Sequence, residues 1–223
     1  MSVSILTASS LNGIITPERG AAGESLIPLV GVPPEVMEWK REVRRRHDAV
    51  LVGTGTVLVD DPGLVSHALP GRPAVRVTLD PEGRIPRRAR FFDGAARTVV
   101  GVSQATPREY LEFLAERKVE AVIAGERRVD LRRFLAALTE RGLADVVAEG
   151  GGTLNRALLA EGLVDRLYLM LIPAVLDAGS VNLFEGGGVV ARFRLEGVER
   201  MGDYVVMEYA AVRENRPVGA KFE

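Results

Sequence analysis

The chain lacks cysteine altogether and contains only two histidines, His47 and His67. Without cysteine it can form no disulfides, thiolate zinc sites or iron–sulfur clusters, and it has no cysteine nucleophile. The two histidines do not have the spacing of metal ligands, so we expect no metal site. The chemistry of this chain must therefore come from other groups.

Long apolar runs and a charge excess are also missing. No apolar run approaches the roughly 20 residues of a membrane helix, and we see no signal-peptide pattern. The formal net charge of −1 gives no support to a nucleic-acid partner. We therefore expect no membrane or nucleic-acid partner and a cytoplasmic location. The 223 residues, 47% of them apolar, can bury one sizeable core. We expect one domain over residues 1–214 and a flexible tail over 215–223.

Short β-branched runs alternate with helical patterns along the chain. Helices are predicted over 34–46, 107–118 and 131–141, and a strand pair, 189–198 and 204–212, should turn around Gly202. The remaining predicted strands are Ser2–Leu6, Ala49–Val52, Ala74–Leu79, Thr98–Val102, Ala121–Ala124, Asp145–Ala148 and Leu167–Ile172. This alternation predicts an α/β fold with a mainly parallel mixed sheet, helices on both faces and a C-terminal antiparallel pair.

The segment Glu149-Gly-Gly-Gly-Thr-Leu-Asn-Arg156 is the most informative part of the sequence. An apolar run precedes it and a helical pattern follows, with Thr153 as a predicted N-cap and Gly162 as the stop. Glycines between a strand and a helix allow an anionic group to approach the free N–H groups of the helix start. The segment thus favours a phosphate site, although an ordinary βα turn explains the same residues equally well.

A second loop has the same character. Gly53-Thr-Gly-Thr56 follows a predicted strand, Thr54 or Thr56 can cap the short helix, and Pro62 stops it. Both loops lack the third glycine of the dinucleotide fingerprint, where Leu58 and Asn155 stand. The P-loop and nucleophile-elbow patterns are absent as well. We expect the two loops to flank one crevice at the carboxyl edge of a parallel sheet.

Six segments in chain order resemble the pyrimidine reductases of riboflavin biosynthesis. These exist as stand-alone archaeal-type enzymes and as the C-terminal half of bacterial bifunctional deaminase–reductases. The segments are Ser9–Gly13, Gly23–Ser25, Asp48–Pro62, Val77–Asp80, Glu149–Asn155 and Glu161–Asp165. The resemblance implies a dihydrofolate-reductase-like fold, NADPH as cofactor with NADH possible, and a homodimer. It also implies the reaction, which reduces the ribosylamino group of a pyrimidine 5′-phosphate to ribitylamino.

The resemblance further implies the site residues. For the substrate these are Ser25, Arg44, Leu64, His67 and Glu149, with Arg44 predicted at the 5′-phosphate beside His67 and Ser25. Glu149 is also the predicted catalytic residue, because a carboxylate favours the protonated imine that accepts hydride. The implied cofactor residues are Ser9, Thr56, Asp60, Pro81, Gly151, Gly152, Thr153, Leu154, Asn155, Arg156 and Ala157.

Two departures from the family pattern keep other functions open. Asn12 stands where the family usually has aspartate, and the segment after Ser25 lacks a common tryptophan. A reductase of the same fold acting on dihydrofolate, a pterin or another pyrimidine is one alternative. A nucleotide-binding protein without catalysis is the other. Because the chain has no cysteine, it lacks a zinc deaminase signature, and we expect deamination to come from another protein.

Overall fold

We describe the fold from a computed structural model, which defines residues 1–16, 31–65, 73–176, 181–184 and 191–212. Within these residues the helices are α1 Pro34–Arg45, α2 Thr54–Asp60, α3 Arg108–Glu116, α4 Leu131–Glu140 and α5 Gly152–Ala160. The strands are β1 Ser2–Ser10, β2 Ile14–Thr16, β3 Ala49–Gly53, β4 Val75–Leu79, β5 Arg97–Val102, β6 Glu120–Ile123, β7 Asp145–Ala148, β8 Arg166–Ile172, β9 Val181–Asn182, β10 Phe193–Met201 and β11 Tyr204–Ala211.

The main sheet has nine strands in the order β10-β11-β8-β1-β7-β3-β4-β5-β6. All pairs from β8 to β6 are parallel, whereas β11 is antiparallel to both β8 and β10. The short strands β2 and β9 form a separate antiparallel pair. The predicted mainly parallel mixed sheet with a C-terminal antiparallel pair is therefore confirmed.

Helices cover both faces of this sheet because successive strand residues point to opposite sides. Leu51 of β3 belongs to a buried cluster with Phe134 of α4 and Leu158 of α5. The next residue, Val52, belongs to a second cluster with Phe113 of α3. Helices α4 and α5 thus pack on one face and α1 to α3 on the other. Because both faces are covered, the central strands carry uninterrupted apolar runs instead of an alternation of apolar and polar residues.

Element ends differ from the sequence prediction where tertiary contacts decide them. Strand β1 continues to Ser10 rather than ending at Leu6, because β8 pairs with it along its whole C-terminal half. Strand β10 occupies Phe193–Met201, later than the predicted 189–198, and residues 185–190 lie outside the described residues, as do 215–223. The pair of β2 and β9 was not predicted, since runs of three and two residues carry no readable period.

The threonines predicted as N-caps have other partners. Helices α2 and α5 begin after Gly53 and Gly151, so Thr54 and Thr153 lie inside the helices and not before them. The Thr54 hydroxyl donates to the Leu79 carbonyl oxygen of β4. Both N-cap predictions, Thr54 or Thr56 for α2 and Thr153 for α5, are therefore wrong. Contacts between neighbouring strand ends compete with local capping and prevail here.

A buried histidine fixes the end of α1 against β1. The Nδ1 atom of His47 lies 2.7 Å from the Val43 carbonyl oxygen, and Nε2 lies 2.9 Å from the Ser4 Oγ. A carbonyl oxygen can only accept, so Nδ1 carries the proton and Nε2 accepts from the serine hydroxyl. Burial lowers the pKa of His47 below its usual value, outweighing the hydrogen bond to Val43 and the nearby carboxylates of Asp145 and Asp48.

This neutral His47 gives the fold a pH dependence. A histidine with a depressed folded-state pKa contributes stability that is complete above about pH 6.5 and is lost as the pH falls toward that folded pKa. We expect the free energy of unfolding in urea to fall between pH 7.5 and 5.5, by at most about 1.4 kcal/mol per pH unit for one proton. His47→Gln should flatten this slope and the control His67→Gln should not. A slope unchanged by His47→Gln would contradict the assignment.

Candidate active site

Four neighbouring parallel strands, β1, β7, β3 and β4, end at one edge of the sheet. Ser9 lies near the end of β1, Glu149 follows β7, Gly53 ends β3 and Pro81 comes two residues after β4. The carboxyl edge of a parallel sheet is where such folds bind their ligands. Residues that the sequence analysis assigned from four separate segments therefore share this edge.

The two glycine loops lie side by side at this edge. The Gly53 N–H donates to the Gly150 carbonyl oxygen at 2.9 Å, and the Gly151 N–H donates to the Thr56 Oγ1 at 3.0 Å. Gly150 has a φ of +92°, in the left-handed region that favours glycine. A Cβ on Gly53 would lie 3.6 Å from the Gly150 oxygen. The sequence placed both loops at one crevice, and the structure brings them into direct contact.

Helix α5 begins directly at this edge. Its N-cap residue, Gly151, has no side chain, and Gly152 and Thr153 form the first turn. The side chains of Leu154 and Ala157 pack on the core, so a ligand would meet only their backbone. The free N–H groups of a helix start attract an anion.

Asn155 in this helix is fully buried, and among the described residues its Oδ1 has no hydrogen-bond partner. Its Nδ2 lies 3.5 Å from the Leu183 carbonyl oxygen, at the limit of a hydrogen bond. A buried acceptor without a partner costs about 1–3 kcal/mol. A ligand with a donor group at this point would remove that cost. Arg156, on the next position of the helix, is half-buried.

The segment after α2 is held by a buried arginine. Arg76 of β4 is fully buried and donates from Nη1 to the Gly63 carbonyl oxygen at 2.9 Å and from Nη2 to Asp93 at 2.6 Å. Leu64, which follows Gly63 in the chain, has a φ of +48° and packs its side chain in the core. Asp60, the last residue of α2, is half-buried.

Two predicted substrate residues, Ser25 and His67, lie outside the described residues.

Arg44 and Glu149 form an ion pair beneath this edge. The Arg44 Nε donates to Glu149 Oε1, and Nη2 donates to Oε2 at 2.6 Å. The Glu149 side chain is only 6% exposed. Lys40, one turn earlier on α1, places its Nζ 3.4 Å from Oε2. Arg44 and Glu149, predicted at different parts of the substrate, are thus in direct contact with each other.

These cations determine the charge of Glu149. Burial alone would raise the pKa of this carboxyl, but Lys40 and Arg44 prevail and lower the pKa to about 2. Glu149 is therefore ionised at neutral pH. It can balance a positive charge on a bound molecule, but it cannot donate a proton.

Lys40 is not among the site residues predicted from the sequence. The only available signal was its spacing four residues before Arg44, which places both side chains on one face of α1.

Asn12, the departure from the family pattern, joins two loops. Its Oδ1 accepts from Ser10 Oγ at 2.7 Å and from the Leu176 N–H at 3.1 Å, and its Nδ2 donates to the Leu176 carbonyl oxygen at 2.7 Å. A carboxylate could accept but not donate, and would face that carbonyl oxygen. The amide at position 12 thus has a structural use in this chain.

Asn12→Asp is expected to lower the free energy of unfolding by about 1 kcal/mol, since one hydrogen bond is replaced by repulsion between two acceptors. Urea denaturation at pH 7 measures the loss. Asn12→Ser, which removes the amide without adding charge, is the control and should cost less. Greater stability of Asn12→Asp than of the unmodified chain would contradict this account of the contact with Leu176.

Among the described residues, no helix is long and apolar enough to cross a membrane. In the same part of the chain, no group of three or more histidine, aspartate or glutamate side chains could hold a metal ion.

The RibD C-terminal domain family matches residues 2–207 of the chain. The chain is 38% identical over 177 residues to the 2,5-diamino-6-ribosylamino-4(3H)-pyrimidinone 5′-phosphate reductase of Methanothermobacter thermautotrophicus, covering 75% of this chain and 82% of that protein. The reductase of the same name from Archaeoglobus fulgidus is 33% identical over 172 residues, covering 72% and 78%.

Solved structures agree on the fold. A pyrimidine reductase-like protein from Corynebacterium diphtheriae superposes with a TM-score of 0.80 at 21% identity, over 96% of this chain and 92% of that one. The deaminase/reductase of Thermotoga maritima gives 0.74 at 25% identity, over 95% and 56%. The predicted dihydrofolate-reductase-like fold and the predicted resemblance are both confirmed, and the chain belongs to the RibD C-terminal domain family.

Proposed function

We propose that this protein reduces the ribosylamino group of a pyrimidine 5′-phosphate to ribitylamino in riboflavin biosynthesis, with NADPH as the hydride donor. The contact between the two glycine loops, beside the ion pair of Arg44 and Glu149, carries the proposal. The start of α5, which could hold a phosphate, and the ion pair, which could hold a polar substrate, thus lie at one edge of the sheet. Two relatives that carry the name of a ribosylamino-pyrimidinone 5′-phosphate reductase, and that the match covers to 82% and 78% of their length, support the choice of substrate.

The residues at this edge fit a nicotinamide dinucleotide. The start of α5, from Gly151 to Thr153, would hold the phosphates. The Oδ1 of Asn155 would accept from a hydroxyl or amide donor of the cofactor. Thr56, already bonded to the Gly151 N–H, would orient the loop. Bordering residues proposed for the same cofactor are Ser9, Asp60, Pro81, Gly152, Leu154, Arg156 and Ala157.

When bound, the cofactor supplies the hydride that reduces C1′ of the opened ribosylamine. The protein then has to orient that carbon and exclude water, without a nucleophile or a metal. Glu149 is proposed as the catalytic residue, because its ionised carboxylate favours the protonated and more electrophilic imine. Ser25, Arg44, Leu64 and His67 are proposed to contact the substrate.

NADPH oxidation followed at 340 nm, in separate reactions with three substrates, tests this function. Turnover of 2,5-diamino-6-ribosylamino-4(3H)-pyrimidinone 5′-phosphate supports the proposal and places reduction before deamination. Turnover of only the deaminated compound keeps the reaction type and reverses that order. Turnover of dihydrofolate alone, or of none of the three, contradicts the proposal. Replacing NADPH by NADH in the productive reaction tests the cofactor preference.

We also propose that residues 1–214 act as one reductase domain, in a cytoplasmic homodimer. The family resemblance supports the homodimer. Light scattering coupled to gel filtration would measure the mass of the particle. A mass near the 24.1 kDa of one chain would contradict the dimer.

A further inference from the structure

Arg44 and Lys40 hold Glu149 with unequal strength. Arg44 contacts both carboxylate oxygens, with 2.6 Å between Nη2 and Oε2. Lys40 approaches Oε2 only to 3.4 Å, longer than the roughly 2.7–2.9 Å of a charge-assisted hydrogen bond. The Lys40 side chain is 33% exposed and that of Arg44 only 14%. Of the two cations that contact Glu149, Lys40 is therefore the one held less tightly.

The direction of α1 places Lys40 nearer to the carboxyl edge of the sheet than Arg44. Val36, in the first turn of α1, packs with Ile172 at the end of β8. His47, just after α1, contacts Ser4 near the start of β1. The helix thus runs antiparallel to these strands, and one turn, about 5.4 Å along its axis, separates Lys40 from Arg44. A molecule entering at this edge would meet Lys40 first.

A phosphorylated substrate at this place needs a cation that can move. Its phosphate would carry a negative charge close to the ionised Glu149, and two anions at short range repel each other. The ammonium of lysine has three donors on a flexible stem, so one lysine can bridge two anions. The Arg44 guanidinium is planar and already bonded to Glu149 through two of its nitrogens.

We propose that Lys40 binds the 5′-phosphate of the substrate and so gives the site its preference for phosphorylated compounds, while Arg44 keeps Glu149 in place. This inference rests on the proposed function. Lys40, which is not among the site residues predicted from the sequence, would then determine the specificity for phosphate.

Steady-state kinetics of Lys40→Met should show the selectivity for phosphate directly. We expect KM for the phosphorylated ribosylamino pyrimidine to rise about tenfold or more, since a charge-assisted contact is lost, with kcat changed less than about threefold. KM for the same compound without its phosphate should stay unchanged. Lys40→Arg keeps the charge and should preserve the preference. Arg41→Met removes a cation from the neighbouring position, where Arg41 contacts Glu38, and is the matched control.

Three kinetic results would overturn the inference. The first is an unchanged KM of Lys40→Met for the phosphorylated compound, and the second is an equal rise of KM for both compounds. The third is a fall of kcat alone, which would mean that Lys40 acts only through its contact with Glu149. Methionine has good helix propensity and Lys40 is partly exposed, so the variant should fold.

A second measurement remains decisive if the proposed reaction fails. Inorganic phosphate should raise the thermal midpoint of the unmodified protein above that in chloride of equal ionic strength, because it binds the folded state. The inference predicts that Lys40→Met reduces this shift to the part contributed by the start of α5, and that Arg41→Met keeps the whole shift. Equal shifts in both variants, or none in the unmodified protein, would overturn the phosphate site whatever the reaction is.

Discussion

Glu149→Gln is expected to lower kcat/KM for the phosphorylated substrate by about 100- to 1000-fold, the usual cost of removing one electrostatic partner of the transition state. The variant keeps the size of the side chain but only one of the two oxygens that accept from Arg44. It loses the negative charge that would favour the protonated imine. Assays with saturating NADPH measure the loss. A kcat/KM within about threefold of the unmodified protein would remove Glu149 from catalysis.

The same substitution should also reduce stability. It leaves Arg44 and Lys40 facing a neutral amide where they faced a carboxylate. Breaking a fully buried ion pair costs about 3–5 kcal/mol. We expect about 2–3 kcal/mol here, because both cations reach solvent in part. Glu42→Gln is the matched control, since Glu42 is an exposed carboxylate of α1 with partners at 3.7 Å. It should change stability by less than about 0.5 kcal/mol and leave activity unchanged.

Acid titration separates charge from packing at Glu149. The folded-state pKa of about 2 is lower than the ordinary 4.5. A depressed carboxyl pKa contributes stability that is present above pH 4.5 and is lost as the pH falls from 4.5 toward 2. Glu149→Gln should therefore differ most from the unmodified protein above pH 4.5 and approach it below. A constant difference over this range would mean that packing, and not charge, explains the cost.

The sequence predicted those parts of the site that depend on local pattern. A strand followed by glycines and a helix is readable within ten residues, and it correctly located the loops at Gly53 and Gly151. Alternation of strands and helices then placed both loops at one edge, because parallel strands share a direction.

Contacts between distant residues could not be read in this way. Arg44 and Glu149 are separated by 105 positions, and Asn12 and Leu176 by 164. The sequence showed each residue with its charge but not its partner, so Arg44 was assigned to phosphate alone. The Thr54 hydroxyl similarly binds the Leu79 carbonyl oxygen on a neighbouring strand. N-cap rules consider only hydrogen bonds within the first turn of a helix. In this fold the Thr54 hydroxyl bonds to the end of a neighbouring strand instead.

Asn155→Leu is expected to weaken NADPH binding by about 10- to 100-fold without loss of stability. In the unmodified protein the buried Oδ1 lacks a partner within the described residues. Leucine has a similar branched shape and no polar atom, so it removes the desolvation cost and can stabilise the free protein by up to about 1 kcal/mol. A bound cofactor would instead lose an acceptor and bury an unpaired donor, which costs about 1–3 kcal/mol of binding free energy.

The two measurements must move in opposite directions for this account to hold. Titration with NADPH gives the affinity and urea denaturation gives the stability of the free protein. Asn155→Ala should lose the same affinity but should also lose stability, because it leaves a cavity at a fully buried position. If Asn155→Leu binds NADPH normally and unfolds more easily, Asn155 serves packing alone. A gain in stability with loss of affinity would mean that the buried amide is kept for the cofactor at the expense of the free fold.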